Sequence, residues 1–337
     1  MSVGLDIGSK TIKIVELSNQ GAAWRLQASG VVGYKGNPPN AIEDEKEYVA
    51  LADVVRKLVS QAKINSKEVN ISLPESLVFT KNIKFPSLTD QEIASAVKWE
   101  AEQYIPIPVA EAVLEHQIIE RAGSGEASEV SVLLIATPRT LVEKYVKVAQ
   151  MAGLTAVGVE TELLALVRAL APPDKTALLL DLGSRSTNIA IAKNGNLCFS
   201  RSVPTAGEAF TRALSQGLGV DYAQAEEYKK TYGLSDQLEG KVKSAVEPTF
   251  KLVVDEIKKA IQFYQTEANG GAPQMVVVSG GTANMPEAIS GMTELLGLEV
   301  VVGNPFAKLV VDPDTLNILK NYTSLYSIAV GLALRGE

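Results

Sequence analysis

The sequence has little of the residues that build disulfides and common metal sites, since Cys198 and His116 stand alone among 337 residues. With one cysteine the chain cannot form an internal disulfide, which is typical of a reducing compartment. A single histidine argues against a histidine-based metal centre and against a Ser-His-Asp triad. Long apolar runs and an apolar leader are also missing, so we expect neither a membrane span nor a signal peptide.

Positive charge is in short supply as well. The 32 basic residues are outnumbered by 39 acidic residues, which gives a net charge of −7. Because nucleic-acid-binding domains carry an excess of lysine and arginine, we expect no nucleic-acid partner. The 46% hydrophobic and 21% charged content is that of an ordinary soluble protein, and the length is enough for two domains.

The most informative feature that is present is a motif that occurs twice, half a chain apart. Each copy has an apolar run, a polar tip of the form D-x-G-S-[KR] and a second apolar run, at residues 3–15 and 178–192. This pattern is typical of a β-hairpin with buried arms. The corresponding residues are Asp6 and Asp181, Gly8 and Gly183, Ser9 and Ser184, and Lys10 and Arg185. The repeat predicts two related domains that face each other.

The residue types at these tips suit a complex of phosphate with a metal ion. Glycine lets the backbone approach a ligand closely, and neighbouring N–H groups and hydroxyls then face anionic oxygens. An aspartate beside them can hold Mg²⁺ through water. The alternative is a pair of ordinary hairpins whose cations are solvated. The predicted phosphate-binding residues are Gly8, Ser9, Lys10, Thr11, Gly183, Ser184, Arg185, Ser186 and Thr187, and the predicted Mg²⁺ residues are Asp6 and Asp181.

Two further segments carry a resemblance to a known family. The hairpins, together with the Gly-Gly turn in residues 276–286, resemble the actin/Hsp70/hexokinase superfamily. The Trp-Glu-Ala-Glu-Gln-Tyr-Ile-Pro segment at 99–106 is similar to the PilM family of actin-like type IV pilus assembly proteins. The resemblance implies an α/β, actin-like two-lobed fold with duplicated RNase H-like domains, an FtsA-like inserted subdomain in the first lobe, and ATP with Mg²⁺ as ligands.

The domain boundaries follow from breaks in the pattern. The pattern of strands changes register at Pro74, and an Ala-Pro-Pro-Asp linker occupies 171–174. We expect the first lobe at 1–73 and 154–173, and the second at 174–337 with a helical part at about 204–272. Residues 74–153 are expected to be an inserted peptide-binding subdomain, with a flexible turn at 123–126 and an exposed edge strand at 77–85. Helical periodicity predicts a long helix over 240–268, which Pro248 kinks or divides, and a last helix over 321–335.

The resemblance also implies residues for the nucleoside and for water. Gly280, Gly281 and Thr282 would contact the base, although a Gly-Gly pair here is also compatible with a plain strand–helix turn. Glu226 and Lys229 would contact ribose and adenine, although the same spacing is common in surface ion pairs. Glu160 and Glu162 both lie where a water-positioning acid is expected, and Glu160 is our first choice for a catalytic role. Either could instead be an acid at the start of a helix, so we expect hydrolysis to be slow or absent.

The implied function is that of a cytoplasmic ATP-binding scaffold at the inner membrane. Its expected partner is the N-terminal cytoplasmic peptide of the membrane protein PilN, through which alone the membrane would be reached, with pilus motor ATPases as further partners. Two alternatives stay open: an FtsA-like division scaffold, which would need an amphipathic membrane tail that we do not expect at 334–337, and a small-molecule kinase. The predicted peptide-binding residues are Trp99, Tyr104, Ile105 and Ile107.

Overall fold

The computed structural model describes residues 1–21, 23–122, 129–267 and 271–335. The turn predicted at 123–126 and the last two residues of the chain lie outside these ranges. Among the described residues, the strands form sheets of six, five and three strands. The strands are β1 (Ser2–Ile7), β2 (Thr11–Asn19), β3 (Trp24–Gly33), β4 (Glu68–Leu73), β5 (Phe79–Pro86), β6 (Ala112–Ala122), β7 (Glu129–Pro138), β8 (Thr155–Thr161), β9 (Thr176–Leu182), β10 (Thr187–Lys193), β11 (Asn196–Val203), β12 (Met275–Ser279), β13 (Glu299–Val302) and β14 (Leu309–Val310).

The helices pack around these sheets. They are α1 (Glu45–Gln61), α2 (Asp90–Tyr104), α3 (Arg139–Met151), α4 (Glu162–Leu170), α5 (Gly207–Leu218), α6 (Tyr222–Thr231), α7 (Lys241–Glu267), α8 (Ala288–Leu296), α9 (Pro313–Leu319) and α10 (Ser327–Ala333). None of those in the described residues combines the length and the hydropathy that a membrane span requires. α7 runs without a break through Pro248, which lies inside the helix.

The two larger sheets repeat one topology. In the first the order is β3-β2-β1-β4-β8, with β14 added beside β3, and in the second it is β11-β10-β9-β12-β13. In each sheet a meander of antiparallel strands is followed by parallel strands. Both hairpins predicted from the repeated motif are formed, by β1 with β2 and by β9 with β10. The prediction of duplicated domains is therefore confirmed.

The two lobes are joined where α4 crosses α10. A Cβ placed on Gly331 of α10 would lie 1.9 Å from the carbonyl oxygen of Ala165 in α4. A Cβ on Gly4 of β1 would lie 2.1 Å from the carbonyl oxygen of Ala329. Because both approaches are closer than any side chain permits, glycine at these positions lets α10 lie against β1 and α4 at once. The crossing is thus set by the absence of side chains.

The inserted sheet has the order β5-β7-β6 and uses both of its faces. One face packs on α2, whose start is capped by Thr89 and Glu92 in a capping box. On the other face, Leu133 joins a hydrophobic cluster with residues of α4 and the second-lobe sheet. β5 is an edge strand of its sheet, as predicted. Its Thr80 and Asn82 side chains nevertheless hydrogen-bond to Ser200 and to the carbonyl of Cys198 on β11.

The C-terminal segment differs from the predicted single helix over 321–335. A 3-10 turn at Thr323–Tyr326 precedes α10, and the preceding helix α9 was not predicted. The turn is fixed by long-range hydrogen bonds, because the carbonyl of Ser324 accepts from the Gly280 N–H at 3.0 Å and from the Ser279 hydroxyl at 2.9 Å. These contacts bring the turn against the Gly-Gly segment, which periodicity alone does not reveal.

Candidate functional site

A cleft of about 670 Å³ opens between the two lobes, where the tips of the two hairpins meet. It is lined by almost all of the predicted ligand residues. Thr187 does not line it, because its hydroxyl donates to the carbonyl of Thr205 at 2.7 Å and is buried. The predicted residues on the wall are Asp6, Gly8, Ser9, Lys10, Thr11, Asp181, Gly183, Ser184, Arg185, Ser186, Glu226, Lys229, Gly280, Gly281 and Thr282.

The hairpin tips have the same backbone geometry. The N–H of Gly8 donates to the carbonyl of Thr11 at 3.1 Å, and the N–H of Gly183 donates to that of Ser186 at 3.1 Å. A Cβ on Gly183 would lie 2.9 Å from the Ser186 oxygen, and one on Gly8 would lie 3.0 Å from the Thr11 oxygen. Glycine is thus required by closure of the tip itself, and the serine and lysine or arginine that follow face the cleft.

Below the tips lies a buried ion pair that the sequence analysis did not assign. The Lys13 ammonium donates to an Asp6 oxygen at 2.7 Å, and the Ser72 hydroxyl donates to the other at 3.3 Å. Burial alone would lower the pKa of Lys13, but the carboxylates of Asp6 and Asp181 outweigh it and raise this pKa. The available signal was a lysine inside an apolar strand, opposite Asp6 in the hairpin register.

Asp181 is the second candidate for the metal. Burial raises its pKa to about 6, with Lys13 acting in the opposite direction. Carboxylate oxygens are the ligands that Mg²⁺ prefers, so the pair Asp6 and Asp181 fits such an ion by its chemistry. Among the described residues, however, there is no group of three or more acidic, histidine or cysteine side chains placed to hold a metal. Waters and phosphate oxygens would have to complete the coordination.

The structure shows which of the two candidate glutamates, Glu160 or Glu162, lies at the cleft. Glu160 forms a bidentate pair with Arg168, at 2.6 and 2.7 Å, and does not line the cleft. Glu162 does line it, as the first residue of α4. The structure therefore does not bring our first choice, Glu160, to the cleft, because Arg168 holds it toward the α4–α10 crossing.

The environment of Glu162 keeps its charge unfavourable. It accepts hydrogen bonds from the Asn188 amide at 3.0 Å and from the Glu75 N–H at 3.2 Å. Burial raises its pKa well above the ordinary value, and the nearby Asp6 and Asp181 carboxylates raise it further. Only the charged form of a carboxyl group can act as a general base, and this environment disfavours that form.

The Glu226–Lys229 pair is not a simple surface pair. Lys229 is buried, and its ammonium donates to Glu226 at 2.6 Å, to the Thr211 hydroxyl at 2.9 Å and to the carbonyl of Gly207 at 3.1 Å. Burial lowers the pKa of Lys229. The pair joins α6 to the start of α5 and presents the Glu226 carboxylate to the cleft.

The Gly-Gly turn also lines this cleft, and its Thr282 lies with Lys229 beside Gly207. Gly280 has φ of 90°, and a Cβ there would lie 2.4 Å from the carbonyl oxygen of Leu182. The hydroxyl of Thr282 donates to the carbonyl of Gly183 at 3.0 Å and so fixes the turn to the second hairpin tip. Four further residues of the wall belong to no local motif and could not be predicted from the sequence: Tyr222, Asn321, Tyr322 and Leu325.

The predicted peptide-binding residues lie at the end of α2. Trp99 is 76% exposed and Tyr104 is 38% exposed, with the Lys81 ammonium 3.5 Å from the Tyr104 ring centre. Ile105 and Ile107 are half-buried, and Ile105 packs on the core of the inserted sheet. Because Trp99 and Tyr104 are five positions apart on a helix of about 3.6 residues per turn, they do not share one face of it.

Comparison with known proteins bears on the fold and on the family of this chain. The chain is 23% identical to the cell division protein FtsA of Enterococcus hirae, covering 100% of this chain and 87% of that protein. It is 25% identical to FtsA of Streptococcus pneumoniae, covering 99% and 83%. Among solved structures, MreB5 of Spiroplasma citri bound to ADP matches with a TM-score of 0.58 and 15% identity, covering 99% of this chain and 95% of that one.

A more similar structure is described as the PilM-PilN type IV pilus biogenesis complex. It matches with a TM-score of 0.85 and 27% identity, over 99% of this chain and 98% of that chain. These likenesses confirm the actin-like α/β fold that the family resemblance implied. The family described as type IV pilus assembly protein PilM matches residues 4–337. The chain therefore belongs to the PilM family of type IV pilus assembly proteins.

Proposed function

We propose that this protein is an ATP-binding scaffold of type IV pilus assembly that docks a peptide of a PilN-type membrane protein. The observation that carries the nucleotide part is the cleft in which two matched hairpin tips, one from each lobe, face each other. Neighbouring N–H groups, hydroxyls and cations at both tips suit a polyphosphate. The structure of MreB5, which shares the fold, is described as bound to ADP.

In this proposal each part of the wall has its own ligand group. The hairpin tips hold the phosphates, and Asp6 and Asp181 hold Mg²⁺ through water. Mg²⁺ would neutralise phosphate charge. The Glu226 carboxylate accepts from the ribose hydroxyls, while Lys229 fixes that carboxylate in place. The base lies on the turn formed by residues 280–282.

Calorimetric titration with ATP and Mg²⁺ tests the nucleotide site. We expect binding in the sub-millimolar range, lost or strongly weakened by Asp181→Ala and by Gly280→Val, since the first removes a metal-shell carboxylate and the second obstructs the turn. Asp174→Ala, an exposed aspartate of the linker between the lobes, serves as the matched control and should bind like wild type. Equal binding by all three variants would put the site elsewhere.

The docking part rests on the surface of the inserted subdomain, for which we retain the boundaries 74–153. Trp99 and Tyr104 are large aromatic side chains exposed at the end of α2, followed by the proline-bounded Ile105 and Ile107. Exposed aromatic and aliphatic anchors of this kind dominate peptide interfaces. The solved structure with a TM-score of 0.85 is described as a PilM-PilN complex, so we infer that the peptide is the N-terminus of PilN.

Fluorescence polarisation with a labelled peptide from the cognate PilN tests this docking. Affinity should be micromolar and should fall about tenfold, or about 1.4 kcal/mol, on Tyr104→Ala. Asp181 lies in the cleft, so the control variant Asp181→Ala should leave peptide affinity unchanged. A peptide that ignores Tyr104 and Trp99 and instead requires the second lobe would refute the docking surface.

We further propose that the protein lies at the cytoplasmic face of the inner membrane, held there through its partner and in contact with pilus motor ATPases. The similarity to FtsA supports a second candidate function, that of a cell-division scaffold. A pull-down from cell membranes with this protein as bait separates them. Recovery of PilN-type proteins supports the pilus function, whereas recovery of division proteins alone supports the alternative.

A further inference from the structure

Glu208 occupies an unexpected place between the two hairpin tips. It lies in the first turn of α5, and one of its oxygens is 3.0 Å from the Lys10 ammonium and 3.6 Å from Nε of Arg185. The Ser184 hydroxyl donates to the same oxygen at 3.3 Å. Lys10 belongs to the first lobe, whereas Arg185 and Ser184 belong to the second. A single carboxylate oxygen therefore bridges the cleft.

The position of this carboxylate is fixed by the backbone. The N–H of Glu208 donates to the carbonyl of Ser184 at 2.8 Å, and the N–H of Gly207 donates to that of Gly183 at 3.2 Å. The Glu208 side chain is only 22% exposed. Burial by itself would raise the pKa of Glu208, but the contacts with Lys10 and Arg185 outweigh it and lower this pKa, so the group is an anion.

The donors that meet at Glu208 are the same side chains that the sequence assigns to phosphate. We propose that Glu208 is an internal anion that, when no nucleotide is bound, takes the place of the γ-phosphate of ATP, holds the lobes together, and competes with nucleotide for Lys10 and Arg185. This inference rests on the proposed nucleotide site. The γ-phosphate of ATP must displace Glu208 from these cations when ATP binds. ADP lacks this phosphate and need not displace Glu208.

The competition predicts an unusual sign for a substitution in a binding site. Glu208→Gln keeps the shape of the side chain and removes its charge. In calorimetric titrations with Mg²⁺ at about 0.1 M salt, we expect ATP to bind about three- to tenfold more tightly to this variant than to wild type, and ADP to change by less than about twofold. If the variant bound ADP and ATP more tightly by the same factor, Glu208 would not occupy the place of the γ-phosphate.

Lys10→Met is the matched variant on the other side of the contact. It also breaks the bridge, but it removes a phosphate donor, so ATP affinity should fall by about threefold or more. Opposite effects of the two variants are the signature of competition. If Glu208→Gln weakened ATP binding as Lys10→Met does, Glu208 would be a supporting residue of the site and the proposal would be wrong.

A measurement without nucleotide separates this inference from the proposed function. Spin labels at Lys46→Cys and Glu227→Cys, exposed positions of the two lobes, report the interlobe distance, and the native Cys198 is buried. Glu208→Gln and Lys10→Met should each lengthen or broaden that distance when no nucleotide is added. If wild type failed to bind ATP, the nucleotide proposal would fall while this result still supported the bridge. An unchanged distance in both variants would overturn the bridge.

Discussion

At the scale of single residues, the Asp6–Lys13 pair is a buried contact whose loss should be costly. The Lys13 and Asp6 side chains are 11% and 2% exposed, so Lys13→Met would leave a buried carboxylate without its partner. We expect the free energy of unfolding to fall by about 3 kcal/mol. Chemical denaturation measures it. Lys10→Met, on the same hairpin but 49% exposed, should change it by less than about 1 kcal/mol, and equal losses would contradict the role of burial.

Asp181 illustrates a residue kept at the expense of stability. Its pKa rises from 3.8 in the unfolded chain to about 6 in the folded protein. The folded state therefore binds more protons between these values, and stability falls as the pH rises through this window. Asp181→Asn should raise the free energy of unfolding near pH 7 by about 1–3 kcal/mol, with little gain below pH of about 4. Denaturation at both pH values, without nucleotide, checks it; a gain that does not depend on pH would contradict the assignment.

Glu162 sets the expectation for turnover. Burial and two neighbouring carboxylates raise its pKa, so its charged form, which is the form that accepts a proton from water, is disfavoured. Phosphate release at saturating ATP should therefore fall well below the roughly 1–100 s⁻¹ typical of kinases, and Glu162→Gln should leave it nearly unchanged. A rate in the kinase range, lost in Glu162→Gln, would show that Glu162 is an active base.

At the scale of elements, the crossing of α4 and α10 gives the sharpest prediction. Gly331→Ala would place a methyl group 1.9 Å from the Ala165 carbonyl oxygen, so the helices must separate. We expect a loss of about 3 kcal/mol in the free energy of unfolding, measured by chemical denaturation. Gly33→Ala at the end of β3 meets no atom within 4 Å and should be neutral or slightly stabilising. If Gly331→Ala and Gly33→Ala changed the free energy of unfolding equally, α4 and α10 would accommodate the added methyl group without cost.

The elements also show what a sequence can predict. Both hairpins, the capping box at Thr89 and the long helix α7 follow from local alternation, cap chemistry and periodicity. The turn at Thr323–Tyr326 does not, because it is held by a hydrogen bond from Gly280, far away in the chain. Nor does the second face of the inserted sheet, since a half-buried strand looks the same whichever lobe covers it. Nor could Glu162 be distinguished from Glu160 by sequence, because no local pattern reveals that Glu160 pairs with Arg168.

At the scale of the whole molecule, the hydrophobic cluster around Leu133 ties three parts together. It contains residues of the inserted sheet, of α4 and of the second-lobe sheet, so we expect them to unfold in one cooperative transition. Leu133→Ala should lower stability by about 3 kcal/mol and lower amide-exchange protection in β7, α4 and β10 together. Mass spectrometry of hydrogen exchange measures this. Exchange confined to β7 would show instead that the inserted sheet unfolds on its own.

The packing of β5 against β11 has a further consequence for solubility. β11 is the outermost strand of its sheet, and a bare outer strand offers unpaired backbone groups on which strands of other molecules can add. Here the Asn82 side-chain amide donates a hydrogen bond to the Cys198 carbonyl, and the Thr80 hydroxyl hydrogen-bonds to that of Ser200. We therefore expect the inserted sheet to hinder such addition of strands at this edge. A mutation that loosens it would show itself first as strand-to-strand self-association at high protein concentration, before any loss of nucleotide or peptide affinity.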